Sequence, residues 1–178
     1  MLEIFAILIV VILVVLVVII ALAARKPQSF KVQRVLSMQA PPEKIFALIE
    51  DFHRWGLWSP YENRDPAMRR TFSGAERSKG AVYTWEGNKN VGSGRMEILE
   101  SNAPSAVLIK LDFFKPFEGH NQAEFTMLPQ DGATLVSWTM HGPAPFVTRL
   151  MQVFVDLDVM IGKDFEAGLT NLKKIVEA

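Results

Sequence analysis

Apolar residues follow three different rhythms along this chain. From Ile4 to Ala24 there is no rhythm at all: 21 uncharged residues, almost all Ile, Val, Leu and Ala. As a helix that run spans about 31 Å, against about 30 Å for the hydrocarbon core of a bilayer. Residues 1–24 therefore read as a transmembrane anchor helix. From Phe30 onwards apolar and polar positions alternate in short runs separated by turn residues, the pattern of half-buried strands. From Phe146 to Val176 the apolar steps lengthen to three and four, through Leu150, Phe154, Leu157, Ile161, Phe165, Leu169, Leu172 and Val176. That spacing predicts one amphipathic helix, roughly 45 Å long over about 30 residues. A rod of that length needs something broad beneath it, and the strands upstream are the only broad surface. The expectation is an α+β domain in which a curved antiparallel sheet of six or seven strands wraps the long C-terminal helix, with an apolar space between them.

The strand candidates are Phe30–Met38, Ala81–Glu86, Val91–Glu100, Ala106–Phe114, Gly119–Leu128 and Ala133–His141, with a weaker one near Arg70–Ser73. Gly92 and Gly94 suit a bulge or sharp bend. Pro42 or Glu43 opens a short helix with Ile45, Phe46, Leu48 and Ile49 inward, and a helical turn covers Phe52–Trp58. Tyr61–Arg70 is polar and reads as loop. For the last hairpin, a turn over Pro129–Gly132 sets Leu128 opposite Ala133. Phe125 then meets Val136, Ala123 meets Trp138 and Asn121 meets Met140 on the inner face, while His120 meets His141 outside. Met96, Ile98, Val107, Ile109, Leu111 and Phe113 face inward by the same alternation.

Charge narrows the partners. Without the first 24 residues the chain keeps 19 basic and 18 acidic side chains, so no field exists to draw nucleic acid. Cysteine is absent, which excludes disulfides and thiolate metal sites. Arg25, Lys26, Lys31 and Arg34 follow the apolar run, and only Glu3 precedes it. The positive-inside rule then places the C-terminal domain in the cytoplasm of a single-pass protein in an inner or plasma membrane. Two alternatives to a span stand beside it. Ala21-Leu22-Ala23 resembles a signal-peptidase site, although the charged n-region is missing and the run is long for an h-region. A buried core helix would show an amphipathic face, and this segment has none. Residues 25–29 form a linker of at most about 17 Å, which holds a domain at 30–178 against the headgroup layer.

Pro41-Pro42-Glu43-Lys44-Ile45-Phe46, with Asp51-Phe52-His53-Arg54-Trp55-Gly56-Leu57-Trp58-Ser59-Pro60, resembles the start of the SRPBCC, START-like superfamily. Tyr83-Thr84-Trp85-Glu86-Gly87 with Gly92-Ser93-Gly94-Arg95-Met96 is similar to its central hairpin, and Val136–Met140 to its last strand. Residues 162–173 resemble the end of its long helix. The likeness runs from about 30 to 177 and points to the polyketide cyclase/dehydrase group. It implies a helix-grip fold and a cavity for a lipid, quinone, hormone or polyketide, with catalysis in only some members. On that resemblance the chain is expected to bind, and possibly transfer, a hydrophobic small molecule beside a membrane. A cyclase/dehydrase-type enzyme and an interaction module with a filled core are the alternatives.

The expected ligand-binding residues are Trp58, Tyr83, Trp85, Met96, Phe113, Asn121, Phe125, Trp138, Met140, Leu150 and Phe154. Rings of this size can wall an apolar pocket while an N–H or O–H holds a polar group, though Trp85 and Trp138 equally suit plain packing and Trp55 and Trp58 suit it better. Met96, Met140, Met151 and Met160 suit either a pliable lining or core filling. Tyr83 and Asn121 are the weak acid–base candidates for the enzyme reading. His120 and His141 lack a third ligand for a metal, no nucleophile elbow or dinucleotide fingerprint occurs, and no cofactor or catalytic residue is assigned. Asp156, Asp158 and Asp164 read as solvated. Gly162 and Gly168 each cost about 1 kcal/mol in a helix, which close approach to the sheet could offset. Residues 150–161 are apolar almost all round, so this stretch and Pro143–Phe146 are expected to border a cavity mouth facing the bilayer.

Overall fold

The computed structural model of the chain describes residues 2–178; Met1, the first residue of the expected anchor, lies outside them. Helix α1 covers Leu2–Arg25 and is long and apolar enough to cross a membrane. Three residues later the chain enters β1, Ser29–Met38. Helix α2, Pro42–Ile49, opens with proline where a missing N–H costs nothing. A 3₁₀ turn follows over Phe52–Leu57, capped by Asp51, whose side chain accepts from the His53 amide.

The sheet has seven strands: β1, then β2 (Arg69–Gly74), β3 (Ala81–Glu86), β4 (Ser93–Asn102), β5 (Ala106–Lys115), β6 (Gly119–Gln130) and β7 (Ala133–Pro143). All pairings are antiparallel, in the order β1-β7-β6-β5-β4-β3-β2. The weak candidate near Arg70 is thus a real edge strand. The bend expected from the glycines lies where the β4–β5 register shifts between Ser93 and Gly94. A side chain at Gly94 would collide with the Trp85 ring and the Asp112 carbonyl, so only glycine fits there.

The last hairpin departs from expectation by two residues. Phe125 pairs with Trp138 and Ala123 with Met140, because β6 continues through Pro129 to Gln130, opposite Ala133. The turn is the two residues Asp131 and Gly132, with φ of 49° and 81°. Asp-Gly tolerates that left-handed pair, and its twist matches the flanking strands. A slip of two leaves every side chain on its expected face. His120 and His141 are consequently not partners; His141 pairs with Gln122 and His120 with Asp112 of β5.

The expected single C-terminal rod is two helices: α3, Phe146–Met151, and α4, Leu157–Val176. The Asp156 carboxylate breaks it by accepting from the amides of Asp158 and Val159, capping α4 from a residue outside it. Helix α3 folds against the end of α1, where Ala23 is fully buried. Helix α4 lies across β1 and the inner face of the sheet, burying Phe165, Leu169, Leu172 and Val176. Both helix glycines mark close approach. A side chain at Gly162 would strike the Arg34 guanidinium, and one at Gly168 would meet the Trp138 ring at 2.7 Å and Pro60 at 3.1 Å. The whole is a helix-grip arrangement, with α1 at the head of its first strand.

Candidate functional site

Between α4 and the sheet, the aromatic side chains singled out from the sequence converge. Trp138 stacks on Phe165 at 4.0 Å and 8°, and Phe125 lies 4.9 Å behind it. Trp58 meets Trp138 edge-on at 5.6 Å, and Phe125 at 5.9 Å. A second group joins Tyr83 to Trp85 at 6.2 Å and Trp85 to Phe113 at 5.7 Å. Met96 and Met140 are buried on the same inner face. Eight of the eleven expected residues, all but Asn121, Leu150 and Phe154, therefore gather in one interior. Their rings meet each other across the space that the sequence assigns to a guest.

The polar handles of these rings point to protein atoms. Trp55 Nε1 donates to the Ile49 carbonyl and Trp58 Nε1 to that of Leu48, which ties the 3₁₀ turn to the end of α2. Trp85 Nε1 donates to the Val91 carbonyl. The Tyr83 hydroxyl donates to Glu62 Oε1 at 2.7 Å, and Arg70 Nε donates to Glu62 Oε2 at 2.6 Å. Glu62 and Tyr83 are both buried. Burial, and then the Glu62 carboxylate, push the Tyr83 phenol well above its ordinary range. This Tyr–Glu–Arg cluster was not foreseen, because Glu62 and Arg70 fall in a segment that reads as solvated loop. Asn121 is only half-buried and sits against Gly142.

Leu150 and Phe154 are corrections. Leu150 is half-exposed on α3, and Phe154 is 71% exposed in the connector between α3 and α4. Both miss the inner face because the helix they were assigned to breaks at Asp156. Met151 and Met160 are exposed for the same reason. The helix aspartates are also less free than expected: Asp158 accepts from Arg34 at 2.9 Å, Asp164 pairs with Arg64, and Asp156 is the cap. Arg34 binds Glu166 as well, at 2.6 Å, pinning α4 to β1.

Two recesses open near the head of β1. One, of about 510 Å³, lies between the α1–β1 linker and the α3–α4 connector. Its walls are Phe30, Val32, Val153, Phe154, Val155 and Leu157, with Lys26, Lys31, Asp156 and Asp158 at polar positions. The other, of about 840 Å³, lies by the outward side chains Lys31, Lys110, His120, Gln122 and His141, with Asn121 and Phe30 at its border. Among the described residues, no group of three or more His, Cys, Asp or Glu side chains could hold a metal. The mixture of apolar walls and four charges suits the first recess to an amphipathic guest.

A family model described as polyketide cyclase / dehydrase and lipid transport matches residues 29–177. No curated protein sequence matches the chain. Among solved structures, the Aha1 dimer from Colwellia psychrerythraea is similar at a TM-score of 0.60 and 15% identity, over 83% of this chain and 96% of that one. A protein from Thermobifida fusca gives 0.60 and 20%, over 82% and 92%. The di-domain ARO/CYC StfQ from the steffimycin biosynthetic pathway gives 0.66 and 9%, over 84% of this chain and 51% of that one. At these identities the likeness concerns the fold.

Proposed function

The chain belongs to the polyketide cyclase / dehydrase and lipid transport family, and from that premise we propose that it binds a hydrophobic small molecule, of lipid, quinone or polyketide type, while held at a membrane by α1. The observation that carries this reading is the recess of about 510 Å³ at the foot of the anchor helix. An oily guest leaving the bilayer meets Phe154 and Val155 first, then Phe30 and Val32 at the edge of the inner face. Lys26 and Lys31 are placed to orient a polar head, while the Asp156 and Asp158 carboxylates at the same rim are engaged by the α4 amides and by Arg34. Burial of apolar area supplies about 25 cal/mol per Å². Met96 and Met140, which change rotamer at low cost, are the side chains best suited to make way further in.

The test is native mass spectrometry and solvent extraction of the full chain purified from membranes. A stoichiometric apolar compound, depleted by Val153→Asp, supports the reading. Recovery of none, together with no thermal shift on adding lipids, quinones or polyketides, would sink it.

Catalysis of cyclase or dehydrase type is the second reading. The buried Tyr83–Glu62 pair favours it, since a phenol and a carboxylate 2.7 Å apart can exchange a proton. Arg70 Nε donates to the other oxygen of that carboxylate at 2.6 Å and fixes its position. Turnover of a polyketone, lost in Tyr83→Phe, would move the assignment from binding to catalysis.

A further inference from the structure

The pairing of the strands sorts their ends. Ser29 pairs with Pro143, Gly119 with Phe113, Lys115 with Ser93, and Ser93 with Glu86. The start of β1, where α1 enters, therefore shares one end of the sheet with the β5–β6 loop and the β3–β4 turn. The loop stands three strands from β1, about 14 Å at the usual spacing.

The two ends differ in chemistry. At the anchor end Phe114 is 49% exposed, Phe117 is 59% exposed, and Phe146, Val147 and Phe154 are exposed beside α1. Lys89 and Lys115 stand among them. At the far end the turns are Ala75–Gly80, Ala103–Ser105 and Asp131–Gly132, which are small or polar, and Leu128 is a lone exposed apolar side chain near them. Two phenylalanines three positions apart, both turned to solvent, with Lys115 between them and Glu118 after them, make a poor aqueous loop. They make a good interfacial one, with rings at the acyl boundary and ammonium groups among phosphates.

We propose that Phe114 and Phe117 enter the interface of the same bilayer that holds α1, so that the domain docks on the lipid surface at a second point. The occupant of this apolar patch is the bilayer itself, because the patch lies at the same end of the sheet as α1 and the exposed apolar side chains of α3. Docking fixes the recess at the foot of the anchor against the acyl region. The inference rests on reading α1 as a span.

The chain has no cysteine, so single-cysteine reporters are unambiguous. The full chain is reconstituted in phosphatidylcholine–phosphatidylglycerol vesicles containing acyl-brominated lipid, with a fluorophore at Val14→Cys, Glu118→Cys or Leu128→Cys. Docking predicts strong quenching at position 14, and quenching at 118 several-fold greater than at 128. Adding Phe114→Asp and Phe117→Asp should abolish the signal at 118 and leave that at 14 intact. Quenching at 14 with equal, weak signals at 118 and 128 overturns the docking alone. Absence of quenching at 14 overturns the span, and the docking with it.

Discussion

Phe165→Ala tests the heart of the helix-to-sheet contact. The ring is 2% exposed and lies flat on Trp138, 4.0 Å away. Truncation removes its transfer energy and leaves a hole, typically about 3–5 kcal/mol for a buried phenylalanine. Loss of a stacked partner belongs to the upper part of that range. Collapse offers little relief. Phe125 already stacks behind Trp138, Trp58 at its edge is held by its bond to the Leu48 carbonyl, and Gly168 lets α4 sit close against Trp138. We therefore expect a loss of about 4 kcal/mol. It should be read as a shift in the urea midpoint of the full chain in micelles, followed by tryptophan fluorescence, with an unchanged slope. Phe154→Ala, an equally large truncation at an exposed position, should stay within about 0.5 kcal/mol. A loss below about 1 kcal/mol for Phe165→Ala would mean that α4 does not grip the sheet through this ring pair. The same variant examines the ligand proposal. If the interior accepts a guest, an apolar compound at about 100 times its Kd should return roughly 2.7 kcal/mol.

Two further predictions address the backbone and the surface. Gly168→Ala gains about 1 kcal/mol of helix propensity, yet its new methyl would meet the rigid Trp138 ring at 2.7 Å. The sum should be destabilising, and a variant with a raised melting temperature would show that α4 can lift. His120 Nδ1 bonds Asp112 Oδ1 at 2.7 Å, which raises the imidazole above its ordinary value. Burial opposes ionisation of Asp112, but the bonds from His120 and Lys110 outweigh it and hold its pKa below the ordinary value. The raised histidine contributes stability that is full below about pH 6.5 and fades as pH climbs through its folded-state pKa. The lowered aspartate contributes stability present above the ordinary carboxylate range and lost as pH falls through its own. Proton NMR should show His120 titrating high and falling towards the ordinary value in Asp112→Asn, with Glu118 keeping part of the rise; equal midpoints in both proteins would refute the pairing.

What the sequence made legible follows from which signals repeat. Period-two alternation put Val107, Ile109, Phe125 and Trp138 on the inner face, and all four are buried. The register of the last hairpin was off by two because Pro129 and Gln130 look like turn residues, while the Asp131-Gly132 pair makes the turn alone. Faces survived that error, since the pleat repeats every two residues. Side-chain networks leave no periodic trace. Glu62, Arg70 and Tyr83 are spaced irregularly, so nothing in their order announces that they meet. Inward direction was readable for the rings, but whether they leave a gap or touch depends on distances that a pattern does not contain.

The break at Asp156 links the remaining observations. A segment apolar on every side must be covered all round, or it must lie in lipid. Had residues 146–176 stayed one helix, Val153, Phe154 and Val155 would have continued α4 with only one side resting on the sheet. The cap at Asp156 instead releases them, and α3 turns back against α1. That fold leaves Phe146, Val147, Met151, Phe154 and Val155 exposed at the end of the sheet where α1 enters. In water this patch would be a liability of the kind that drives association. Beside a helix long and apolar enough to cross a bilayer, the binding proposal gives it a role: a hydrophobic guest would pass along it between membrane and recess without crossing water. Replacing Phe154 and Val155 together by Asp should therefore slow uptake of such a guest from vesicles while leaving the fold intact.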